Sequence, residues 1–287
     1  MTATTASPRG LTRVVLSANV AVVFLFFYAP IALLTVFSFS NDRNPSRWGG
    51  FTLDWYREFG ESQSLQDALR RSLWVALWST IVSVILGTSS ALALERFRFR
   101  GRRVFDALLY LPIIIPDVTM GIMMLIFFGD AIELVNDIFG TSYTKGIATI
   151  TLAHIAFNIS FVSVVVRARL AGMDQRMEEA ARDLYASRTQ AFRHVTLPQI
   201  MPGIAGGALL AVTISLDDVV VTQFSSGPGA TTLPVFVFSL IRKGVTPLIN
   251  ATSVIMLTAS VLLVLLSILT ERLRANESTT TTTGGTP

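Results

Sequence analysis

Long apolar runs alternate with short polar segments along most of this 287-residue chain. A helix needs about 20 mainly apolar residues to cross the roughly 30 Å of hydrocarbon in a bilayer. Six runs meet this length: 14–39, 72–94, 107–129, 146–166, 203–224 and 248–270. Backbone polar groups in lipid must be paired within the chain, so the runs predict helices. The predicted fold class is therefore all-α, a polytopic membrane protein with six transmembrane helices.

The composition also indicates that lipid is the main solvent of this chain. Only 15% of the residues are charged and the mean hydropathy is +0.57, whereas soluble domains carry about 25% charge. The absence of cysteine excludes disulfides, thiolate catalysis and cysteine-bound zinc. The first apolar run is longer than the apolar core of a signal peptide and no clear cleavage site follows it, so we predict a retained span.

Arginine and lysine predict the orientation, because cytoplasmic loops are enriched in them. With the N-terminus inside, 15 of the 23 basic residues fall on the inner side, including the run RFRFRGRR at 96–103. Both termini are then cytoplasmic. The domain boundaries that follow are an N-terminal segment at 1–13, a membrane domain at 14–271 and a tail at 272–287. We expect the tail, which ends in a low-complexity threonine tract, to be disordered.

Two features interrupt the regular pattern of spans. Pro112 and Pro116 each remove a backbone donor from the third run, which predicts a kinked or unwound helix. On the outer side, the segment 226–247 contains an apolar stretch at 233–241 that is too short to span. We therefore predict a re-entrant or interfacial helix there and interpret it as a candidate gate.

The loop 170–202 is much longer and more polar than a connection between two spans requires. Asp174 can cap a helix that begins near Gln175. One apolar stripe at helical spacing then follows, while charged residues occupy the other faces. The stripe consists of Met177, Ala180, Ala181 and Leu184.

A second short helix is predicted at 189–196, and we expect Pro198 and Pro202 to prevent its continuation into the fifth span. An amphipathic helix that projects from a membrane can lie in the groove of a partner protein. The alternative is a helix that lies on the lipid surface. The acidic residues in the loop disfavour that alternative, because the inner leaflet is itself anionic.

The sequence contains no motif for catalysis or nucleotide binding. It has neither G-x-x-x-x-G-K-[ST] nor H-E-x-x-H, so a P-loop and a zincin site are excluded. His154 lies in an apolar run, and we expect it to be a packed, hydrogen-bonded residue. Gly203 and Gly207 form a small-residue face in the fifth run, which predicts close helix packing.

Three carboxylates lie inside the predicted spans, namely Asp117, Asp217 and Asp218. Each costs about 2.5–3.5 kcal/mol at the centre of a membrane helix, so such residues usually face a cavity or a partner. If the helices stay regular, all three reach a similar level and form a cation-attracting site. Alternatively, Asp217 or Asp218 caps a helical segment that restarts at Val219, or pairs with an arginine of a partner.

The stretch EEAARDLYASRTQAFRHVTLPQIMPGI resembles the EAA loop of permease subunits in ATP-binding-cassette (ABC) importers. The resemblance implies a loop that docks on a cytoplasmic ATPase. It also implies coupling residues, for which we select Glu178, Glu179, Ala180, Ala181, Leu184, Tyr185, Leu197 and Pro198. The family usually has glycine at the position of Tyr185, so we expect the chain to turn differently there or to clash.

A second block, ISLDDVVVTQFSSGPGATTLPVFVFSLIRKGVTPLINA, is similar to the C-type permease subunit of spermidine/putrescine importers, and FTLDWYREF fits the same group. The resemblance covers most of residues 20–270. It implies a MetI-like permease fold in the bacterial inner membrane and polyamines as cargo. The implied partners are a second permease subunit, two copies of an ABC ATPase and an extracytoplasmic substrate-binding protein. No cofactor, metal or nucleic acid is expected in this non-catalytic chain, and ATP and Mg belong to the partner ATPase.

Three alternatives remain open at the level of sequence. The importer could carry another small cation or organic solute, because lining residues alone do not fix specificity. A stand-alone secondary transporter could use Asp117, Asp217 and Asp218 as a proton relay, but it leaves the loop 170–202 unexplained. A membrane scaffold without transport would need no carboxylates within its spans.

Overall fold

A computed structural model describes residues 9–45, 47–174, 176–244 and 246–280. These residues form twelve α-helices and one π-helical segment. In chain order they are α1 (Arg9–Phe37), α2 (Asp54–Glu61), α3 (Gln63–Arg96), α4 (Arg102–Ile114), α5 (Asp117–Phe139), α6 (Ile147–Ala171), α7 (Arg176–Asp183), α8 (Arg188–Ala191), the π-helix (Phe192–Thr196), α9 (Leu197–Asp217), α10 (Val220–Ser225), α11 (Leu233–Lys243) and α12 (Pro247–Thr280).

Six of the described helices are long and apolar enough to cross a bilayer, as the sequence predicts. They are Thr12–Phe37, Gln63–Arg96, Asp117–Phe139, Ile147–Ala171, Arg188–Asp217 and Pro247–Leu265. The described part of the chain contains no strand, and its one isolated β-bridge joins Ser40 to Phe51. The all-α prediction is therefore confirmed.

The chain divides into two compact units. The smaller comprises the chain up to Glu61 together with Leu240–Leu257, and the larger comprises Ser62–Ser239 and the chain from Thr258 onward. Within the smaller unit, polar side chains tie the residues after α1 to α2. The indole of Trp55 donates to the carbonyl of Ser40 at 2.7 Å, and the hydroxyls of Ser38 and Tyr56 lie 2.7 Å apart. These bonds hold the start of α2 against the residues that follow α1.

The core of the larger unit is formed by α3, α6 and α9, which meet along small residues. A Cβ added at Gly87 would lie 2.8 Å from Val162, and one added at Gly203 would lie 2.8 Å from the side chain of Arg169. Gly207 also faces Val162 closely. Close packing through the Gly203–Gly207 face is thus confirmed, and it seats α9 directly on α6.

The third predicted span, 107–129, is divided in the structure. Ile115 has an extended ψ of 132°, which a residue before proline favours, and the chain breaks there between α4 and α5. Pro112 remains inside α4, so the interruption belongs to Pro116. Asp117 is consequently the first residue of a new helix rather than a point along a continuous one.

The expectation that Pro198 and Pro202 stop the second loop helix is wrong. α8, the π-helix and α9 follow one another without a gap, and together Arg188–Asp217 form one continuous helical stretch. Pro198 lies in the first turn of α9, and the preceding segment is π-helical, where the hydrogen-bonding ladder already changes its spacing. Pro202 lies inside α9 and is accommodated there.

The short helix predicted within 226–247 is present as α11, and the last helix is longer than expected. α12 extends to Thr280 and so includes residues 272–280, which we assigned to a disordered tail. That stretch contains no proline or glycine before Gly284, so nothing in it interrupts a helix. Residues 281–287 lie outside the described ranges.

Candidate functional site

The loop 170–202 presents a helix with an exposed apolar edge. The carboxylate of Asp174 accepts the backbone N–H of Arg176 at 3.0 Å, which is the predicted cap at the start of α7. Gln175, the expected first residue of the helix, lies outside the described residues. Met177, Leu184 and Tyr185 are exposed, Leu184 by 82% and Tyr185 by 97%. Leu184 and Tyr185, in the turn just after α7, therefore present two large side chains at the surface.

The turn after α7 is a left-handed helix cap made by a tyrosine. Tyr185 has φ 64°, and it is the one non-glycine residue with positive φ among those described. Its N–H donates to the carbonyl of Arg182 at 2.9 Å, and the N–H of Ala186 donates to the carbonyl of Ala181 at 3.1 Å. This pair of bonds is the Schellman motif, in which glycine usually takes the left-handed position. The expectation of a different turn is therefore wrong.

Glu178 lies on the inner side of α7 and anchors the helix to the body of the protein. One of its carboxylate oxygens lies 2.6 Å from the guanidinium of Arg96, at the end of α3, and accepts the hydroxyl of Thr196 at 2.9 Å. The guanidinium also donates to the Thr196 hydroxyl at 3.1 Å. Glu178 is only 14% exposed, whereas its neighbour Glu179 faces solvent. The two glutamates therefore have different surroundings.

Burial and charge act in opposite directions on Glu178. Burial alone raises the pKa of its carboxyl, but hydrogen bonds from Arg96 and Thr196 lower it, as do the charges of Arg96 and Arg182. Together these partners hold the pKa of Glu178 below its ordinary value. The anchor is therefore an ionised carboxylate at neutral pH.

The other selected residues of the loop occupy distinct positions. Ala180 is exposed on α7, and Ala181 is half-buried. Leu197 packs against a cluster of buried residues from α3, α6 and α9, and Pro198 is exposed beside it. Leu197 and Pro198 thus connect the loop to α9 rather than extend the exposed edge of α7.

A second charged cluster ties α3, α4 and α6 together. The guanidinium of Arg167 lies 2.9 Å from Glu95 and 2.5 Å from Asp106, and it also stands over the ring of Tyr110. From the sequence, Arg167 is only one of the basic residues on the predicted inner side. Its carboxylate partners lie 72 and 61 residues away along the chain, so no local pattern could indicate this cluster.

The three carboxylates predicted within the spans line one cavity of about 350 Å³. Asp117 comes from the start of α5, and Asp217 and Asp218 come from the end of α9 and the break that follows it. The remaining walls are mainly apolar and include Phe157 and Phe161 of α6. The prediction of a common level assumed regular helices. Both helices are interrupted, before Asp117 and at Asp218, and the three carboxylates still line the same cavity.

Asp218 has the capping role that was left open as an alternative. The span predicted at 203–224 breaks at Asp218, whose ψ is 125°, and α10 starts after Val219. The carboxylate of Asp218 accepts the backbone N–H groups of Val221 and Thr222 at 3.3 and 2.6 Å. It therefore caps α10 and is less available to a ligand than the other two acids.

Asp117 and Asp217 are exposed to the cavity and its opening. Within the described ranges neither carboxylate takes part in an ion pair or a side-chain hydrogen bond. Two unpaired carboxylates beside apolar walls can attract an organic cation. The described residues contain no group of three or more histidine, aspartate and glutamate side chains suited to a metal ion.

The chain matches a known family over most of its length. Residues 83–276 match the model of the binding-protein-dependent transport system inner membrane component. The putrescine transport system permease protein PotI of Escherichia coli (strain K12) is 42% identical over 237 residues, which are 82% of this chain and 83% of that protein. The spermidine/putrescine transport system permease protein PotC of Haemophilus influenzae is 38% identical over 88% of this chain and 94% of its own.

Solved structures agree with the fold. A bacterial ABC transporter involved in the import of the acidic polysaccharide alginate matches with a TM-score of 0.75 at 17% identity, covering 92% of this chain and 96% of its own. The MetNI methionine ABC transporter matches with a TM-score of 0.56 at 19% identity, covering 74% and 98%. The chain is thus a multi-pass membrane protein with the MetI-like permease fold, and it belongs to the family of binding-protein-dependent transport system inner membrane components.

Proposed function

We propose that the chain is one of two permease subunits of an ATP-driven importer that carries polyamines, and that the surface of α7 receives movement from a cytoplasmic ATPase. The observation that carries this proposal is the arrangement of α7, whose outer edge is exposed and whose inner edge is anchored. Leu184 and Tyr185 offer an apolar contact for a partner, while Glu178 links the same helix to Arg96 of α3 and Thr196 before α9.

The anchor provides a physical route for coupling. A displacement of α7 acts on α3 through the ion pair with Arg96, and on α9 through Thr196 and the continuous helical stretch Arg188–Asp217. That stretch ends at the break beside the acidic cavity. Movement at the loop therefore has a continuous path of packed helix to the three carboxylates.

The assembly follows from the same proposal. The partners are a second permease subunit, two copies of an ABC ATPase that binds ATP and Mg, and an extracytoplasmic substrate-binding protein. Both termini and the loop 170–202 lie in the cytoplasm, in agreement with the distribution of arginine. Alternating access of the paired permease subunits then moves the cargo inward.

Polyamines are the cargo that the cavity chemistry favours. A polyamine carries ammonium groups separated by methylene chains, so it needs carboxylates next to apolar surface. Asp117 and Asp217 supply the charge, and Phe157 and Phe161 supply apolar faces that also attract cations. The relatives named for putrescine and spermidine transport support the same cargo.

Docking of the ATPase is tested with a charge reversal on the exposed edge. Glu179→Arg, expressed with the other subunits, should lose the co-purified ATPase, because an exposed docking residue is inverted without disturbing the Glu178 anchor. Asp137→Arg makes the same charge change at an exposed position of α5 and serves as the control. Retention of the ATPase in both variants would refute docking through this face.

The cargo pathway is tested by uptake of radiolabelled putrescine and spermidine in importers with normal subunit content. Asp117→Asn and Asp217→Asn should each reduce uptake by about tenfold, the effect of losing one contact worth 1.4 kcal/mol. Asp130→Asn, an exposed residue of α5 away from the cavity, should leave uptake unchanged. Normal uptake in both cavity variants would remove the pathway role.

A further inference from the structure

A chain of buried polar side chains runs behind the acidic cavity, and His154 is at its centre. The ring of His154, on α6, is fully buried. Its Nδ1 lies 2.6 Å from the hydroxyl of Ser215 on α9, and its Nε2 lies 2.9 Å from the hydroxyl of Thr222 on α10. The expectation of a packed, hydrogen-bonded histidine is confirmed, but its partners are specific. They lie on the two helices that meet at the break in the fifth span.

This row of hydrogen-bonded side chains continues in both directions from Ser215 and Thr222. The hydroxyl of Ser79 on α3 lies 3.3 Å from that of Ser215. At the other end the hydroxyl of Thr222 donates to the carboxylate of Asp218 at 2.7 Å, and Nε2 of His154 lies 3.4 Å from the same oxygen. Four helices are thus joined by one row of hydrogen bonds that ends at a carboxylate lining the cavity.

The carboxylate of Asp218 fixes the hydrogen-bond directions at one end of this row. The single hydrogen of the Thr222 hydroxyl goes to Asp218, so the Thr222 oxygen accepts the N–H of His154 at Nε2. Nδ1 is hydrogen-bonded to the hydroxyl of Ser215, which also lies within hydrogen-bonding distance of Ser79. Every buried group from Ser215 to Asp218 therefore has a partner, with no donor facing another donor.

We infer that His154 is a positioning residue for the acidic cavity. The break at Asp218 removes the regular helical hydrogen bonds between α9 and α10, and the Asp218 carboxylate replaces two of them on the α10 side. His154 holds Asp218 through Thr222 and holds the end of α9 through Ser215. Asp217, the last residue of α9, is fixed between these two attachments with its carboxylate at the cavity.

This inference deepens the proposed function, because the orientation of Asp217 matters for transport only if that residue meets the cargo. His154 itself does not line the cavity. Its effect passes through Ser215, Thr222 and Asp218, and the same three contacts distinguish it from a histidine that only fills space. An apolar side chain of similar size would fill the site but remove one buried hydrogen bond from Ser215 and one from Thr222.

The orientation of residue 217 can be measured directly, because the chain has no cysteine. Asp217→Cys places a single thiol at the cavity, and a cationic methanethiosulfonate reagent reports its accessibility in the assembled importer as a mass shift of this chain. Adding His154→Leu should change the modification rate by about tenfold, since losing a buried hydrogen-bond partner shifts local equilibria by that order. His154→Gln, which keeps a donor and an acceptor, should restore most of the rate.

The control is Ser142→Cys, at an exposed position in the connection between α5 and α6. Its modification rate should not respond to either change at His154. If His154→Leu does not assemble, Thr222→Val and Ser215→Ala each remove one link of the chain and should change the rate at residue 217 in smaller steps. An unchanged rate at residue 217 in the assembled variants would overturn the positioning role.

Transport separates this inference from the function on which it rests. His154→Leu should retain ATP hydrolysis stimulated by the loaded binding protein but move less polyamine per ATP, and His154→Gln should recover the ratio. A changed labelling rate together with normal uptake in Asp217→Asn would support the positioning and refute the cargo role of Asp217. Unchanged labelling together with reduced uptake in Asp217→Asn would refute the positioning alone.

Discussion

Removing the charge of Glu178 should release α7 from the body of the protein. Its carboxylate is bound by Arg96 at 2.6 Å, by Thr196 at 2.9 Å and by Arg182 at 3.3 Å. A hydrogen bond to a charged group contributes about 1.5–3 kcal/mol. The side chains of Arg96 and Glu178 are 26% and 14% exposed, so water competes for these hydrogen bonds and reduces their contribution to stability. For Glu178→Gln we expect a loss of about 2 kcal/mol, which is roughly a 30-fold shift toward released α7.

Amide hydrogen exchange of the assembled importer, measured without ATP, reports this shift. The amides of α7 should exchange roughly 30-fold faster in Glu178→Gln, because exchange of a locally opened segment follows its opening equilibrium. ATP hydrolysis should continue while polyamine uptake per ATP falls. Asp183→Asn removes a neighbouring charge that has no role in the anchor and should leave the exchange unchanged.

Unaltered exchange of α7 in Glu178→Gln would show that the carboxylate of Glu178 does not anchor the helix. It would mean that packing alone fixes the helix and that the ion pair with Arg96 adds nothing measurable. Faster exchange with normal uptake per ATP would retain the anchor as a structural element and remove it from the coupling route.

Three further results are expected. Because the pKa of Glu178 is lowered, the anchor is fully present above the ordinary glutamate pKa and is lost as pH falls through the lowered value. The protection of the α7 amides against hydrogen exchange should therefore be constant from pH 8 to 5. A loss of protection in that window would contradict the assignment. Tyr185→Gly should raise the stability of the turn by about 1 kcal/mol, since a left-handed φ of 64° strains a side chain; slower exchange at the end of α7 checks this, and faster exchange contradicts it. Gly203→Ala should lower the melting temperature of the purified importer, because its Cβ would lie 2.8 Å from Arg169, whereas Gly206→Ala, with 3.8 Å to Val165, should not; equal effects would exclude tight packing at Gly203.

The spans could be predicted because bilayer thickness sets a length that the sequence must meet. The breaks within them were harder. Pro116 was a visible signal, since proline forces the preceding Ile115 into an extended conformation. The break at Asp218 has no proline or glycine beside it. Asp218 caps α10 through Val221 and Thr222, which the sequence left as one alternative, but the support of this cap by His154 of α6 comes from a distant part of the chain.

The error at Pro198 has a related cause. Proline interrupts a regular α-helix because it lacks the N–H that would bond the carbonyl four residues earlier and because its ring clashes with that carbonyl. The π-helix Phe192–Thr196 changes the ladder before Pro198, so the helix continues. Nothing in the local sequence indicates a π-helical turn, because it depends on packing. The buried hydroxyl of Thr196, held by Arg96 and Glu178, is part of that packing.

The loop shows the same division between local and distant information. The sequence correctly placed Met177 on an exposed side of α7 and Asp174 at its start, whereas Leu184 lies in the turn just after the helix. Periodicity could not distinguish Glu178 from Glu179, because both fall outside the apolar stripe. Only the end of α3, 82 positions earlier in the chain at Arg96, decides which of the two glutamates faces the protein.

Reconstitution of the complete importer in proteoliposomes tests whether transport through this chain is driven by an ATPase docked on α7. With loaded binding protein on the outer side and ATP inside, radiolabelled putrescine should accumulate only when the ATPase is present and α7 carries its native Glu179. Accumulation by this chain without the ATPase, driven by an imposed proton gradient, would contradict the account.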